Sequence, residues 1–154
     1  MMRKAKITDA KAIYLLIRVW ARKGKVLERS LNYTYENIRD FWVYIEDKKM
    51  VGCCALRIIG WETLGEIKSL VVRENFQRHN VGRKLVEACI QEAKSLGIKN
   101  IFALTFVAGF FKRLGFKAID KKKLPHKIWN DCINCVDFPD CHEEAVMFNL
   151  NGPL

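Results

Sequence analysis

The sequence predicts an α/β protein, a mixed α+β sheet covered by helices. Three observations carry that expectation. Two stretches place apolar residues at helical spacing, around Ile13 to Trp20 and Val81 to Leu96. Three strand-like runs follow one another between residues 41 and 72. A strand–helix–strand order then spans 65–105, where a right-handed crossover makes the flanking strands parallel.

Taken in order, Ile13, Leu16, Ile17 and Trp20 follow i, i+3, i+4, i+7 and predict a helix over 9–22. Thr8 or Asp9 serves as its N-cap and Gly24 ends it. A short helix is expected over 34–40, after Asn32 and Thr34. F-W-V-Y-I-E (41–46), M-V-G-C-C-A-L-R-I-I (50–59) and G-E-I-K-S-L-V-V (65–72) read as consecutive antiparallel strands. Val81, Leu85, Ala88, Cys89, Glu92 and Leu96 form the next helix, with Gly97 at its end. N-I-F-A-L-T (100–105) reads as a buried strand, V-A-G-F-F-K-R-L as a short helix closed by Gly115, and F-K-A-I as a strand. E-E-A-V-M-F-N-L (143–150) is the last strand, after an irregular Cys-containing insertion at about 120–142. No repeat or linker interrupts the 154 residues, which predicts a single domain over 1–154.

Charge and composition narrow the function classes. The net charge is +10, but the basic residues are dispersed among acids and only Lys121–Lys123 form a run. That dispersal argues against nucleic acid, which is met by a clustered basic face. No apolar run approaches bilayer length, which argues against a membrane. The first ten residues lack the apolar core of a signal peptide, so the expected compartment is cytoplasmic. A small anionic ligand remains as the partner for the excess charge. The sequence leaves the oligomeric state open, a homodimer included.

The stretch F-Q-R-H-N-V-G-R (76–83) lies between a strand and a long helix. A helix N-terminus presents unbonded N–H groups and partial positive charge, and a tight turn there can cradle a pyrophosphate. Gly82 allows close backbone approach, and Asn80 is one of the few residue types that tolerates positive φ. Arg78, His79 and Arg83 add positive potential. By itself the stretch is equally readable as a plain turn with solvated basic residues.

Its surroundings decide between the two. G-E-I-K-S-L-V-V-R-E-N-F-Q-R-H-N-V-G-R-K-L resembles the central motif of the GNAT family of N-acetyltransferases: a strand, a short turn, then Gln/Arg-x-x-Gly-x-Gly/Ala opening a helix. Gln77, Arg78, Asn80 and Gly82 match it, with Asn in place of the first glycine. F-F-K-R-L-G-F (110–116) resembles the second signature of that family. The resemblance covers nearly the whole chain. It implies the GNAT fold, a splayed central sheet flanked by helices, with acetyl-CoA as co-substrate. The cofactor pyrophosphate would sit on the N–H groups of Gln77, Arg78, His79, Asn80, Val81, Gly82 and Arg83. Its pantetheine arm would run along the strand near Leu70 and Val72, in the slot opened by the splay from the 100–105 strand.

Acetyl transfer to an amine needs the neutral amine, so a base helps. The resemblance points to Glu66 as that base, against its alternative as a surface carboxylate. Many relatives carry a Tyr in the second signature as acid. Here Phe110 and Phe111 stand there, and core packing is the expectation for Phe111.

A narrower resemblance links G-K-V-L-E-R-S (24–30), F-W-V-Y-I-E-D-K-K-M-V-G-C-C-A-L and the downstream F-F-K-R-L-G-F to the acetyltransferase domain of N-acetylglutamate synthases, including short stand-alone versions. It implies an acidic amino-acid substrate, acetylation of the α-amine of glutamate and a place in arginine biosynthesis. Arg29 and Arg57 would bind the substrate carboxylates, for which guanidinium is well shaped. An acetyltransferase for another small amine or a protein N-terminus, and a non-catalytic acyl-CoA-binding or metal-stabilised module, are the alternatives.

Of six cysteines, Cys53, Cys54 and Cys89 lie in apolar surroundings and are expected as small core residues. Cys132, Cys135 and Cys141 follow C-x2-C-x5-C, and with His126 could hold a structural zinc; a labile disulfide or packed thiols are the alternatives.

Overall fold

Among the described residues the chain forms eleven helices and strands. They are β1 (Met2–Lys4), α1 (Ala10–Arg22), α2 (Leu31–Glu36), β2 (Phe41–Glu46), β3 (Lys49–Ile58), β4 (Leu64–Val72), α3 (Val81–Leu96), β5 (Asn100–Thr105), α4 (Ala108–Arg113), β6 (Lys117–Ile119) and β7 (Glu144–Asn149). The structure is a computed structural model, and it describes residues 1–59, 64–77, 79–124 and 143–150. Two units can be distinguished: Met1–Arg57 with Ile67–Glu92, and Ile58–Glu66 with Ala93–Leu154. By these bounds β3, β4 and α3 each contribute residues to both.

In the first unit the strand order is β1-β2-β3-β4. β2 and β3 are antiparallel, Phe41 opposite Ala55 and Tyr44 opposite Gly52, with a register shift between Tyr44 and Ile45. Their turn uses Asp47 and Lys48, both at positive φ (50° and 65°), the backbone a two-residue hairpin needs. β1 was not expected from the sequence. It is three residues long, basic, and carries no alternation of its own; it pairs antiparallel with β2 at Met2–Tyr44 and Lys4–Trp42.

The interior of β3 is buried on both faces, which explains why M-V-G-C-C-A-L reads as a continuous apolar run. On one face, Cys53 and Ala55 join Ala10, Ile13, Leu16 and Ile17 of α1, with Phe41, Val43 and Val71, in one core. On the other, Cys54 meets Cys89 of α3 with the sulfurs 3.7 Å apart. Gly52 lets α3 come this close: a Cβ there would lie 3.1 Å from both Leu85 Cδ1 and Val81 Cγ1. All three cysteines are buried, as expected of small core residues.

Asp9 sits at the N-cap position of α1, but its carboxylate turns away from that helix. It accepts from Arg3 Nη1 at 2.7 Å and Nη2 at 3.1 Å, and from the Lys6 N–H at 2.7 Å. These bonds hold its carboxyl below the usual carboxylate range, Arg3 contributing most. Gly24 follows α1 at φ 71°, as the sequence suggests. The second helix differs from expectation: α2 begins at Leu31, because the Ser30 hydroxyl caps it by accepting from Tyr33 N at 2.9 Å. The 38–40 stretch is a separate 3-10 turn.

In the second unit the order is β4-β5-β7-β6. β4 runs parallel to β5 over three pairs, Leu64–Asn100 to Glu66–Phe102. β7 is antiparallel to both β5 and β6. Phe102, Ala145, Ile59 and Leu124 form the core. Gly115, at φ 102°, ends α4; a Cβ there would come within 3.0 Å of Phe148.

Candidate active site

The expected cofactor loop is built on the first unit. β4 ends at Val72, and Arg73 anchors the exit by donating its N–H to Val51 O (2.8 Å) and its Nε–H to Met50 O (2.8 Å). A 3-10 turn over Glu74–Phe76 follows. Asn80 then takes φ 61°, the conformation that the sequence requires of it in place of glycine. Among the described residues the first i→i−4 bond of α3 is Lys84 N to Asn80 O at 3.0 Å, so the N–H groups of Val81, Gly82 and Arg83 precede that bond. The turn itself engages two of the other expected donors: Gln77 N donates to Glu74 O (3.4 Å) and His79 N to Phe76 O (3.1 Å). The expected cradle is therefore confined to the start of α3. The Gln77 side chain donates to Val72 O at 3.3 Å, and the Arg83 side chain to Glu87 at 2.8 Å. Arg78 lies outside the described residues.

On β4, Leu70 is half-buried and Val72 buried. Ser69 beside them has φ 54°, a left-handed residue inside a strand, which breaks the pleat one residue before Leu70. Cys53 Sγ lies 3.6 Å from Ser69 O. A serine in an apolar strand carries no sequence signal for this kink.

The same unit brings three cations to one ring. Arg29, just before α2, has its guanidinium carbon 4.7 Å from the Tyr33 ring centroid. Arg57, late in β3, donates from Nη1 to Tyr33 Oη at 3.1 Å. Lys68 of β4 has its Nζ 5.8 Å from the same centroid and is buried. Arg29 and Arg57 were expected from the sequence and are brought together. Lys68 and Tyr33 were missed. For Lys68 a signal existed: a lysine inside G-E-I-K-S-L-V-V, an otherwise buried strand, needs a reason to be there. Asp40 carries the opposing charge nearby. Burial pushes its carboxyl up, against the downward pull first of Arg57 and then of Lys4.

Glu66 belongs to the second unit. It is 1% exposed and lies opposite Phe102 in the β4–β5 ladder, so it is not the surface carboxylate of the alternative reading. Phe111 is buried and packs edge-on against Phe110 (5.2 Å) and Phe116 (5.1 Å), as core packing predicts. Cys132, Cys135, Cys141 and His126 lie outside the described residues. Among the described residues no group of three or more His, Cys, Asp or Glu is placed to hold a metal. No helix among them is long and apolar enough to cross a membrane.

The profile of the acetyltransferase (GNAT) family matches residues 10–116, which include the loop, Glu66 and the cation cluster. The chain belongs to the GNAT family. This GNAT chain is 40% identical over 149 residues to an uncharacterized N-acetyltransferase of Chlorobaculum tepidum, covering 97% of this chain and 96% of that one. It is 33% identical over 140 residues to an amino-acid acetyltransferase of Mycobacterium tuberculosis, covering 88% and 79%. Among solved structures it resembles N-acetylglutamate synthase from Neisseria gonorrhoeae, complexed with coenzyme A and N-acetyl-glutamate, at TM-score 0.88 and 27% identity. That match covers 97% of the GNAT chain but 35% of the synthase. The fold is the GNAT fold and the protein is an N-acetyltransferase.

Proposed function

We propose that the protein transfers the acetyl group of acetyl-CoA to the α-amine of L-glutamate or a close acidic amino acid, as in the first acetylation of arginine biosynthesis. The observation that carries this reading is the convergence of Arg29, Arg57 and Lys68 on Tyr33. Three cations around one point suit a substrate with two carboxylates. They repel a polyamine, which needs a site of opposite sign.

The N–H groups of Val81, Gly82 and Arg83 bind the cofactor pyrophosphate, with the N-terminal end of α3 adding its partial charge. Gln77, His79 and Asn80 complete the turn, and Leu70 and Val72 carry the pantetheine arm along β4. Arg29 and Arg57 hold the substrate carboxylates, with Lys68 as a third cation. The amine nitrogen attacks the thioester carbonyl, the new C–N bond forms and the C–S bond breaks. Glu66 takes the amine proton. CoA leaves as a thiolate and is protonated from solvent, since Phe111 has no proton to give. A thiol is acidic enough for this, with an ordinary pKa of about 8.5.

Thiol release from acetyl-CoA against a panel of amines tests the reading. Glutamate is expected to give the highest kcat/KM. Release with lysine peptides or polyamines but not with glutamate would overturn it, and release with no amine would leave only an acyl-CoA-binding module.

A further inference from the structure

Each cation of the cluster comes from a different segment: Arg29 from the loop before α2, Arg57 from β3, Lys68 from β4. Like charges do not gather without a common attraction. Asp40 supplies a coulombic one to Arg57 and Lys68, and Tyr33 supplies one to all three without a charge. Its ring face attracts Arg29 and Lys68 through the aromatic quadrupole, within the distance at which such contacts count. Its hydroxyl oxygen accepts from Arg57.

We propose that Tyr33 is a positioning residue that sets the spacing of Arg29 and Arg57, and through it the preference for an acceptor with two carboxylates. This rests on the functional reading above. One guanidinium stacks over the ring face and the other meets the ring's hydroxyl, so a single rigid group fixes both. A guanidinium held over an aromatic face has its plane set by that face, and guanidinium is shaped to form two parallel bonds to a carboxylate. Arg57 Nη1 gives one N–H to the phenol and retains donors on its other edge. A carboxylate in place of the phenol would hold the same cations but cancel part of the field that draws the substrate.

Tyr33 is itself held firmly. Its N–H donates to Ser30 Oγ at 2.9 Å, and its carbonyl accepts from Asn37 Nδ2 at 2.9 Å. The Thr34 hydroxyl donates to Ser30 O at 3.0 Å, closing the same turn. Ser30 directly follows Arg29, so one cap fixes both the ring and the start of the arginine. A rotation of the ring would move both guanidinium partners together, which makes it a specificity element rather than a filler.

The test uses Tyr33→Phe, Tyr33→Trp and Tyr33→Leu in the full chain, with kcat and KM for glutamate, glutamine and acetyl-CoA. Phe keeps the face and loses the hydroxyl, so it should raise the glutamate KM by about 3- to 10-fold, the net worth of one ordinary hydrogen bond, since the lost bond acts on the substrate only through Arg57. Trp, a ring with no acceptor, should match Phe. Leu should raise it by about tenfold or more and bring the glutamate-over-glutamine ratio of kcat/KM towards one. The acetyl-CoA KM should stay within about twofold in all three, which a loss of folding would not allow. Unchanged glutamate KM in Phe and Leu overturns the role, as does an equal rise in both substrates' KM. If the wild-type protein acetylates no acidic amino acid, the functional reading fails in that row alone, before any variant is compared, and the role of Tyr33 falls with it.

Discussion

Arg57 donates to the hydroxyl of Tyr33 at 3.1 Å, and that one bond ties the end of β3 to the first turn of α2. Two segments 24 residues apart thereby share a polar contact beside Arg29 and Lys68. The acidic-substrate reading rests on this arrangement.

Removing either arginine should separate substrate binding from cofactor binding. Arg29→Ala and Arg57→Ala are expected to raise the glutamate KM by about 10- to 100-fold, the worth of a charge-assisted bond to a carboxylate. Acetyl-CoA affinity, measured by calorimetry, should not change. An unchanged glutamate KM in Arg29→Ala would refute its role.

Glu66→Gln keeps the shape of a fully buried side chain and removes its basicity. The expected loss is in kcat, by about 10²- to 10⁴-fold, the usual span for a general base. KM for both substrates should stay near wild type. A kcat within twofold of wild type would show that the amine loses its proton elsewhere.

Asn80 carries the strain of the proposed cofactor loop at φ 61°. Asn80→Gly adopts that backbone without strain and should bind CoA at least as tightly. Asn80→Val must pay roughly 1–3 kcal/mol for the same conformation, so its CoA dissociation constant should rise by about 5- to 150-fold. Equal affinities for the Gly and Val variants would remove Asn80 from the cradle.

Two carboxylates move stability in opposite directions with pH. Asp9 is held low, chiefly by its bonds from Arg3, so its folded state releases the proton more readily than the unfolded chain. That stability is present above the unfolded pKa of about 4 and is lost as pH falls through the lower folded value. Asp40 is pushed up, chiefly by burial, so the folded state holds its proton more tightly. Its ionisation therefore lowers stability as pH rises from about 4 through the raised value. Asp9→Asn should lower the melting temperature at pH 7 and Asp40→Asn should raise it. Both differences should shrink when the melts are repeated in acid.

Much of the fold was legible because burial and periodicity agree. β2 and β5 lie where alternation and apolar runs put them, at Phe41–Glu46 and Asn100–Thr105. α3 follows the stripe from Val81 to Leu96. Errors fell where a local contact outweighs the pattern. The Ser30 cap starts α2 earlier than Thr34, and β1 exists only through its pairing with β2. The site was half legible. Asn80 announced its positive φ by its place in the motif, and Arg29 and Arg57 by the resemblance. Tyr33 drew no reading from the sequence, because nothing local marks a ring as the meeting point for cations from β3 and β4. Ser69 likewise gave no sign of its kink, since serine is not a residue type that marks positive φ.

The measurement that tests the central claim most directly is acetyl transfer by the wild-type protein with acetyl-CoA, comparing glutamate with glutamine, lysine peptides and a polyamine at equal concentration. The account predicts fastest CoA release with glutamate, and a product acetylated on the α-nitrogen. Faster release with the polyamine or the lysine peptides, or no release with glutamate, would contradict it.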